Sequence, residues 1–509
     1  MVIIAGTPWH SRAADPPHYN VTDLGAVFGT DSRALGLSDN GYVVGWSGTT
    51  SNHHAFIWSN GVTYDKVTGG GPRAQFYSIR NDGLAVGSSV ATNGTTYGYL
   101  ASPLSSAYMQ VNGNPYAEWF SVSNSDWLVS SFTGTNLKNY GMRQPIGSLY
   151  PAAPQILKEN ANAFALNERG HFGGKLIGGG SDYAYVQHGG DPLLPAVPGV
   201  SSIRPSGDPA TVGLNDNYQA IIGQGEFGST YYVWNYRTGT TTAVNPGTGA
   251  MGDINNRGEV VGYTRPGAAI PGGGFHFSQA MINKDGTFYD LNSLANPGSG
   301  LYLADAHAIN DKGWIVGYGE LADGHTRAYL AIPEAEPGLI HNFDFQRGDL
   351  IGWSPKGGGI ADAVSLGGGE WAGKLQVWED LYLGHVAIID QYLDTFTSGN
   401  ALDFAYQFRT TTGVLKVSLD GQLLATLNAP GTLSGAFQNF HLDLTNPLFQ
   451  NRTDILLDFS FDGAINSEVW IDNVALAGVP EPSTLALAGF GFSALLLSVA
   501  RRGLSRRQS

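Results

Sequence analysis

The sequence predicts an all-β protein, and three features carry that prediction: high glycine content, sparse charge and a short motif that recurs along the chain. Glycine accounts for 71 of the 509 residues, and charged residues for 14%. Globular proteins usually contain about 7% glycine and about 25% charged residues. Glycine favours tight turns, and amphipathic helices need a charged face. Strands joined by short turns are therefore favoured over helices.

The recurring motif is clearest at residues 309–317, where an aliphatic residue is followed by an Asn-Asp pair, a Gly and a second β-branched run. This pattern is typical of a three-residue hairpin loop whose last residue is left-handed. The seven copies place that last residue at positions 41, 83, 126, 170, 218, 258 and 313. Asp126 and Tyr218 replace Gly in copies three and five. Because tyrosine adopts left-handed backbone poorly, we expect copy five to bend differently with its one extra residue.

The spacing of the copies predicts the architecture. Successive turn positions are 40 (258−218) to 55 (313−258) residues apart. Repeats of roughly 40–50 residues with only strand patterns inside are typical of propeller blades. Residues 19–24 resemble a fourth strand but precede any first strand, whereas copy seven ends at Pro333 without one. We therefore predict a seven-bladed β-propeller over residues 19–333 whose N-terminal strand completes the last blade. An open β-solenoid of independent hairpins is the alternative.

The motif followed by His54-Ala55-Phe56-Ile57-Trp58 resembles the extracellular HAF-repeat family of bacteria. The resemblance covers about residues 19–333 and implies a secreted or surface-attached setting, with no defined chemistry. Residues 1–18 are predicted to be a disordered leader or the remnant of a truncated signal peptide.

A second domain is predicted over residues 340–478, after a linker at 334–339. Alternating apolar residues at 402–408 and 455–461, with a two-residue hairpin at Asp420-Gly421, predict an antiparallel sandwich of about seven strands. The two ends of this domain, residues 342–353 and 470–474, resemble jelly-roll carbohydrate-binding modules.

That resemblance implies two kinds of site. Asp344 and Asp472 occupy the places of acidic residues that hold a structural Ca²⁺, although strand-end carboxylates equally cap backbone donors. Sugar recognition requires exposed aromatic faces, and the candidates are Trp371, Trp378, Tyr382 and Tyr392. The alternative is that these rings pack in the core, as aromatic side chains more often do.

Residues 479–509 carry a distinct pattern: Pro480, Glu481 and Pro482 precede an apolar run at 485–500, and arginines follow. A helix of that length rises about 24 Å, less than the ~30 Å hydrocarbon core. We therefore expect a transient transmembrane anchor whose basic end faces the cytoplasm. The pattern resembles the PEP-CTERM sorting signal. The resemblance implies exosortase as a partner and release towards the cell surface and the exopolysaccharide matrix.

Composition narrows the functional classes. The net charge of −15 disfavours a nucleic-acid partner, and the absence of cysteine removes disulfides, thiol catalysis and Cys-bound metals. Familiar catalytic motifs are absent, and the turn Asn and Asp residues recur in every copy, as structural residues would.

The sequence thus predicts a non-catalytic, exported surface or matrix protein that associates with exopolysaccharide. It needs no cofactor beyond the calcium ion and contacts membrane only through the C-terminal helix. The alternative is a polysaccharide hydrolase or lyase that uses two carboxylates over the propeller channel.

Overall fold

In the computed structural model, most of the described residues lie in β-strands, and one short helix occurs among them. The described residues are 17–66, 71–108, 118–133, 138–146, 156–177, 182–188, 213–224, 230–244, 249–265, 278–334, 345, 350–357, 359–378, 386–396, 401–444 and 452–477.

The N-terminal sheets contain strands β1 to β26 and the helix α1 at Leu291–Leu294. The first strands are β1 (Tyr19–Asp23), β2 (Ser32–Leu37), β3 (Val43–Gly48), β4 (His53–Ser59), β5 (Val62–Lys66), β6 (Arg73–Ile79), β7 (Ala85–Val90), β8 (Thr96–Ser102), β9 (Ser105–Tyr108), β10 (Glu118–Val122), β11 (Trp127–Thr133), β12 (Asn139–Pro145) and β13 (Ile156–Glu159). The others are β14 (Ala161–Leu166), β15 (His171–Ile177), β16 (Asp182–His188), β17 (Gln219–Gln224), β18 (Thr230–Asn235), β19 (Thr240–Val244), β20 (Ala250–Ile254), β21 (Val260–Thr264), β22 (Gln279–Lys284), β23 (Thr287–Asp290), β24 (Tyr302–Ile309), β25 (Ile315–Glu320) and β26 (Thr326–Pro333).

These strands form small antiparallel sheets in chain order. Strands β10–β13 form one four-stranded sheet and β20–β23 another. In two further sheets, β14–β16 and β17–β19, three strands are described. The eight-stranded sheet consists of two four-stranded runs, β2–β5 and β6–β9, joined by a single parallel bridge between His53 and Arg73. Each sheet is therefore one copy of the repeated unit or a joined pair of copies.

The remaining sheet has the order β1-β26-β25-β24, so the N-terminal strand pairs with the last strand of copy seven. Tyr19 faces Pro333 and Asp23 faces Tyr329 in antiparallel register. The predicted pairing of the chain's first strand with its last unit is confirmed. Asn296 strengthens it, because its N–H donates to the Tyr19 carbonyl over 2.8 Å.

The predicted turn conformation is present in all seven copies, including the two that lack glycine. Backbone φ is positive at each turn position, from 63° at Tyr218 to 86° at Gly83. The expectation that copy five bends differently is therefore wrong. The Tyr218 ring lies 5.6 Å from the Tyr236 ring and 5.1 Å from the Arg237 guanidinium, contacts that offset its backbone strain.

The last glycine of the motif lies where the preceding strand bulges and approaches it closely. A Cβ at Gly317 would lie 1.9 Å from the Asp305 carbonyl oxygen, and Gly45 and Gly174 face the same obstruction. In copies one and seven, the register of the facing strand shifts at this level. Only glycine fits such a close backbone approach.

The C-terminal strands are β27 (Ser354–Lys356), β28 (Ile360–Gly367), β29 (Glu370–Gln376), β30 (Ala387–Phe396), β31 (Ala401–Phe408), β32 (Val414–Leu419), β33 (Gln422–Asn428), β34 (Gln438–Asp443), β35 (Arg452–Asp462) and β36 (Glu468–Ala477). They form two five-stranded antiparallel sheets, β27-β30-β35-β32-β33 and β28-β29-β36-β31-β34. The strand count exceeds the predicted seven because residues 354–396, which lack clean alternation, contribute four strands.

The apolar core of this sandwich lies between its two sheets. Leu402, Phe404 and Phe408 point inward from one sheet, and Leu457 and Phe459 from the other. The predicted hairpin is confirmed, since Asp420 and Gly421 both have positive φ between β32 and β33. Alternate residues of each strand thus face outward, which defines the two outer faces of the sandwich.

Candidate functional site

Seven side chains from the repeated turns form a continuous hydrogen-bonded polar ring. Each comes two positions before the left-handed turn residue, and each backbone N–H donates to a side-chain oxygen of the next copy. The members of the polar ring are Asp39, Asn81, Asn124, Glu168, Asp216, Asn256 and Asp311. The Asp311 N–H donates back to Asp39 over 3.3 Å, so the ring is closed. The recurring turn residues therefore join neighbouring copies.

Asparagines one position earlier reinforce part of this ring. The Asn167 side-chain amide donates to the Asn215 carbonyl, Asn215 to Asn255, and Asn255 to Asn310 over 2.9–3.0 Å. Asn310 donates to the Ser38 carbonyl over 3.1 Å. These amides are buried, so losing one leaves backbone carbonyls without a partner.

A cavity with about 200 Å³ of free space lies inside the polar ring. Residues six positions before the turn residue form one layer, which is apolar in four copies through Leu35, Tyr77, Phe120 and Phe164. Gly252 and His307 hold the same position in copies six and seven. Bulges in their strands turn these residues away from the sheet faces. The cavity is therefore apolar on one level and acidic on another.

Burial changes the acidity of the carboxyl groups around this cavity. Burial, with Glu168 and Asp311 nearby, raises the pKa of Asp216 to about 7. Burial also raises the pKa of Asp253 to about 7, although the N–H groups of Ile309 and Ile254 oppose the shift. The pKa of Asp39 is raised to about 6 by burial and by Asp311.

The carboxylate oxygens at the cavity are nevertheless engaged in hydrogen bonds within the fold. Asp216 accepts from the Glu168 N–H and from the Asn256 side chain. Glu168 accepts from Asn124 and Ser125, and the two Asp253 oxygens accept from separate backbone N–H groups. A general acid or base needs an oxygen open to substrate. These groups instead hold the copies together.

A cap segment, residues 350–356 at the start of the sandwich, contacts the polar ring. The Gly352 N–H donates to the Asn256 carbonyl over 2.9 Å, and the Asn217 side chain donates to the Trp353 carbonyl over 3.0 Å. Ser354 Oγ accepts from the Asn256 side chain and donates to Asp311. The sandwich is thus attached to copies five, six and seven of the repeat.

Lys356 places a positive charge beside the acidic level of the cavity. Its Nζ lies 2.7 Å from an Asp390 oxygen, and its side chain is 29% exposed. Burial opposes the charge of Lys356, but Asp390 and Asp39 outweigh it and raise its pKa well above the usual range. Lys356 is therefore a counter-charge for carboxylates of both regions.

The predicted aromatic candidates have different surroundings. Trp371 packs against the sandwich core, whereas Trp378 is 49% exposed. Tyr392 is half-buried, with Lys312 Nζ 4.6 Å from its ring centre at the side that faces the repeats. Tyr382 lies outside the described residues. Of the three candidates that the structure describes, Trp378 is the most exposed.

The calcium candidates are likewise separated by what the structure describes. Asp344 lies outside the described residues. Asp472 is 9% exposed and accepts hydrogen bonds from the N–H and the side-chain amide of Asn473. Within the described ranges, His, Asp and Glu side chains form no group of three or more that could hold a metal ion. The structural calcium ion remains a prediction.

The outer face of β29, β36 and β31 contains polar residues that sequence analysis missed. Trp470 on β36 lies between Lys374 on β29 and Gln407 on β31 in the strand register. Its indole N–H donates to Glu468 over 2.6 Å, and the Arg409 guanidinium lies 4.1 Å from its ring centre. Alternation along β36, with Val469 and Ile471 in the core, was the signal that places Trp470 outside.

The predicted sorting residues Pro480, Glu481 and Pro482 and the predicted helix at 485–500 lie outside the described residues. Among the residues that the structure does describe, no helix has the length and apolar character needed to span a membrane.

Comparison with known proteins gives one family match and several structural similarities. The model of the PEP-CTERM protein-sorting motif matches residues 478–507. No curated protein matches the chain. A similar solved structure is that of TmCBM61 in complex with beta-1,4-galactotriose, with 18% identity over 28% of this chain and 98% of that chain, at a TM-score of 0.23.

Two more similar structures are also carbohydrate-binding modules. Family 16 Carbohydrate Binding Module-2 is 20% identical over 28% of this chain and 99% of its own, at a TM-score of 0.21. Caldicellulosiruptor saccharolyticus CBM27-1 in complex with mannohexaose is 15% identical over 26% of this chain and 93% of its own, also at 0.21. Similarities of this size carry no inference about function. The C-terminal motif does: this chain carries a PEP-CTERM signal, which marks it for export and exosortase processing.

Proposed function

We propose that this chain is a non-catalytic surface or matrix protein that binds polysaccharide through its C-terminal sandwich. Its N-terminal part is a seven-bladed β-propeller of HAF-like repeats at residues 19–333, and the sandwich at 340–478 is a jelly-roll. The closed polar ring of seven side chains and the β1–β26 pairing support the propeller. The sorting motif at 478–507 supports delivery to the cell surface.

The observation that carries the binding role is the contrast between two sets of polar side chains. The polar ring uses its carboxylates and amides within the fold. The outer face beside Trp470 presents polar groups around an indole, and the exposed Trp378 lies two residues beyond the end of β29, the strand of Lys374. Sugar rings stack on aromatic faces while neighbouring polar side chains bind their hydroxyls. The sandwich is therefore the better candidate for polysaccharide binding.

One observation favours the rival function of a polysaccharide hydrolase or lyase. Asp216 and Asp253, whose pKa values are raised to about 7, line the same cavity, and raised acids in a cavity are typical of catalytic sites. Their oxygens, however, accept hydrogen bonds from within the fold, and the cap segment contacts the polar ring beside them.

The test is to incubate the full-length protein, purified in mild detergent, with exopolysaccharide from bacteria that carry exosortase. Co-sedimentation measures binding, and size-exclusion chromatography measures polymer length. We expect the protein to sediment with polymer of unchanged length. Polymer shortening that Asp216→Asn or Asp253→Asn abolishes would establish the enzyme instead, and absence of binding to any polymer would refute the binding role.

A further inference from the structure

The outer face of β29, β36 and β31 is organised as a small grid of side chains. Lys374, Trp470 and Gln407 form one row across the three strands. Gln376, Glu468 and Arg409 form the next row, in which the Arg409 N–H donates to the Glu468 carbonyl over 2.9 Å. Neighbouring strands are about 4.8 Å apart, and same-face residues along a strand about 6.6 Å apart. We call these two rows the tryptophan platform.

Trp378 extends the tryptophan platform in one direction. It follows Lys374 by four residues on the same strand path, so their Cα atoms lie roughly 13 Å apart in extended backbone. Its side chain is 49% exposed, and the neighbouring loop residue Ile465 is 55% exposed. Trp470 and Trp378 thus mark two ends of a strip long enough for a short oligosaccharide.

Two contacts fix the orientation of Trp470 before any ligand arrives. Its indole N–H donates to Glu468 Oε1 over 2.6 Å, and the Arg409 guanidinium lies 4.1 Å from the ring centre. A ring held by a hydrogen bond and a cation–π contact loses little side-chain entropy on binding. The tryptophan platform is in this sense pre-organised.

Three other polar side chains of the tryptophan platform make no polar contact within the described part of the fold. Across the described ranges, the side chains of Lys374, Gln376 and Gln407 make no hydrogen bond or ion pair with protein, although Gln407 is only 5% exposed. Because these groups have no partner within the described fold, a ligand hydroxyl can bind them without breaking a protein hydrogen bond. This is the pattern of a binding surface.

The charge of the tryptophan platform indicates the ligand class. Lys374 and Arg409 are cationic, and the carboxylates beside them are already engaged. Glu468 accepts from the indole, and Asp362, which faces Lys374 from β28, pairs with Arg237 of copy five. Among the described residues neither Lys374 nor Arg409 forms an ion pair, on a chain with a net charge of −15. Planar guanidinium groups suit carboxylate ligands in particular.

We propose that the tryptophan platform binds an extended saccharide chain that carries carboxylate groups, with Trp470 and Trp378 stacking on sugar rings. Lys374 and Arg409 contact the carboxylates, and Gln376 and Gln407 bind hydroxyls. This inference rests on the proposed function and names the site and the ligand class within it.

The experiment is isothermal titration of the full-length protein with oligogalacturonate and with a neutral cello-oligosaccharide of equal length. We expect at least tenfold tighter binding of the acidic ligand, and weaker binding as salt increases. Lys374→Gln combined with Arg409→Gln lowers affinity for oligogalacturonate at least tenfold. It lowers affinity for the neutral ligand by a smaller factor, because Arg409 also orients Trp470. Lys416→Gln, on an exposed lysine of the other sheet, is the matched control and has no effect.

Trp470→Ala removes most binding, and Trp470→Phe, which keeps an aromatic ring at the site, retains more than the alanine variant. Circular dichroism and thermal melts establish that each variant is folded. Equal affinity for both oligosaccharides overturns the acidic ligand class. Polysaccharide binding that survives both Trp470→Ala and Trp378→Ala overturns the site but leaves the proposed function standing, whereas no binding to any polymer overturns both.

Discussion

The polar ring and the tryptophan platform are both rich in polar side chains, yet they use those side chains in opposite ways. In the polar ring, Asp216 and Asn256 each make several hydrogen bonds to neighbouring copies. In the tryptophan platform, Lys374 and Gln407 make none with the described protein. Repetition explains the difference, because a side chain copied in every turn serves the joint between copies. A polar cluster that occurs once is free to serve a ligand.

The largest expected effect comes from comparing a closely packed glycine in the repeats with a turn glycine in the sandwich that has open space around it. A Cβ at Gly317 would meet the Asp305 carbonyl oxygen at 1.9 Å, so Gly317→Ala requires the paired strands to separate. We expect a loss of about 4 kcal/mol in unfolding free energy. Urea denaturation followed by tryptophan fluorescence measures it.

Gly421→Ala in the sandwich is the matched control. Its φ of +76° disfavours alanine, but nothing lies within 4 Å of the added Cβ. We expect a loss of about 1 kcal/mol. Equal losses for the two variants would contradict the packing of Gly317 against the bulge.

The second prediction compares one buried amide from each polar cluster. Asn256→Ala removes hydrogen bonds to Asp216, Asp311 and Ser354, and leaves buried acceptors without donors. The expected loss is about 3 kcal/mol. Gln407→Ala removes an amide that has no protein partner in the described chain, so only the packing of its buried stem is lost, about 1 kcal/mol. A loss at Gln407 as large as that at Asn256 would show that the tryptophan platform is structural.

The repeats could be predicted from sequence because their determinants are local. The sequence shows a glycine at the turn, an Asn or Asp before it and a second glycine four residues later. The structure explains the first glycine by its positive φ and the second by the close approach of the neighbouring strand. Tyr218 shows the limit, since its left-handed backbone is stabilised by Tyr236 and Arg237, which are adjacent only after folding. The polar ring was visible as turn residues, but its links join residues 40 or more positions apart.

The site in the sandwich was harder to predict because three strands far apart in sequence contribute to it. Trp470 sits between Lys374 and Gln407 only through the β29-β36-β31 pairing, and no local pattern encodes that strand order. Sequence analysis found Trp378 by its residue type alone. It also selected Trp371, which lies on β29 as Lys374 does but has its ring packed against the sandwich core.

The third prediction concerns the pH dependence of stability, to which the buried carboxyl groups around the cavity contribute. Asp216 has a folded-state pKa of about 7 against an ordinary value of 3.8, so the folded protein holds this proton more tightly than the unfolded chain. Stability therefore falls as pH rises from about 4 to about 7, on the order of 2 kcal/mol after allowance for its coupling to Glu168. Asp216→Asn should flatten this part of the profile, as measured by urea midpoints between pH 4 and pH 8. An unchanged slope would show that Asp216 is ionised throughout.

The smallest effect expected is at the contact between the two regions. Ser354→Ala removes one hydroxyl that accepts from Asn256 and donates to Asp311, while the backbone bonds of Gly352 and Trp353 remain. A single hydrogen-bonded hydroxyl is worth about 1 kcal/mol, so the cap segment should stay attached and the free energy of unfolding should fall only slightly.

Lys356→Met tests the same contact through charge, because the counter-ion of Asp390 is lost while the aliphatic stem remains. If the cap segment fixes the sandwich on the polar ring, the Ser354→Ala Lys356→Met double variant broadens the particle in small-angle scattering, whereas either single variant does not. An unchanged profile for the double variant would mean that the contacts left in place suffice to hold the two regions together, among them the backbone bonds of Gly352 and Trp353 and the Arg237–Asp362 ion pair.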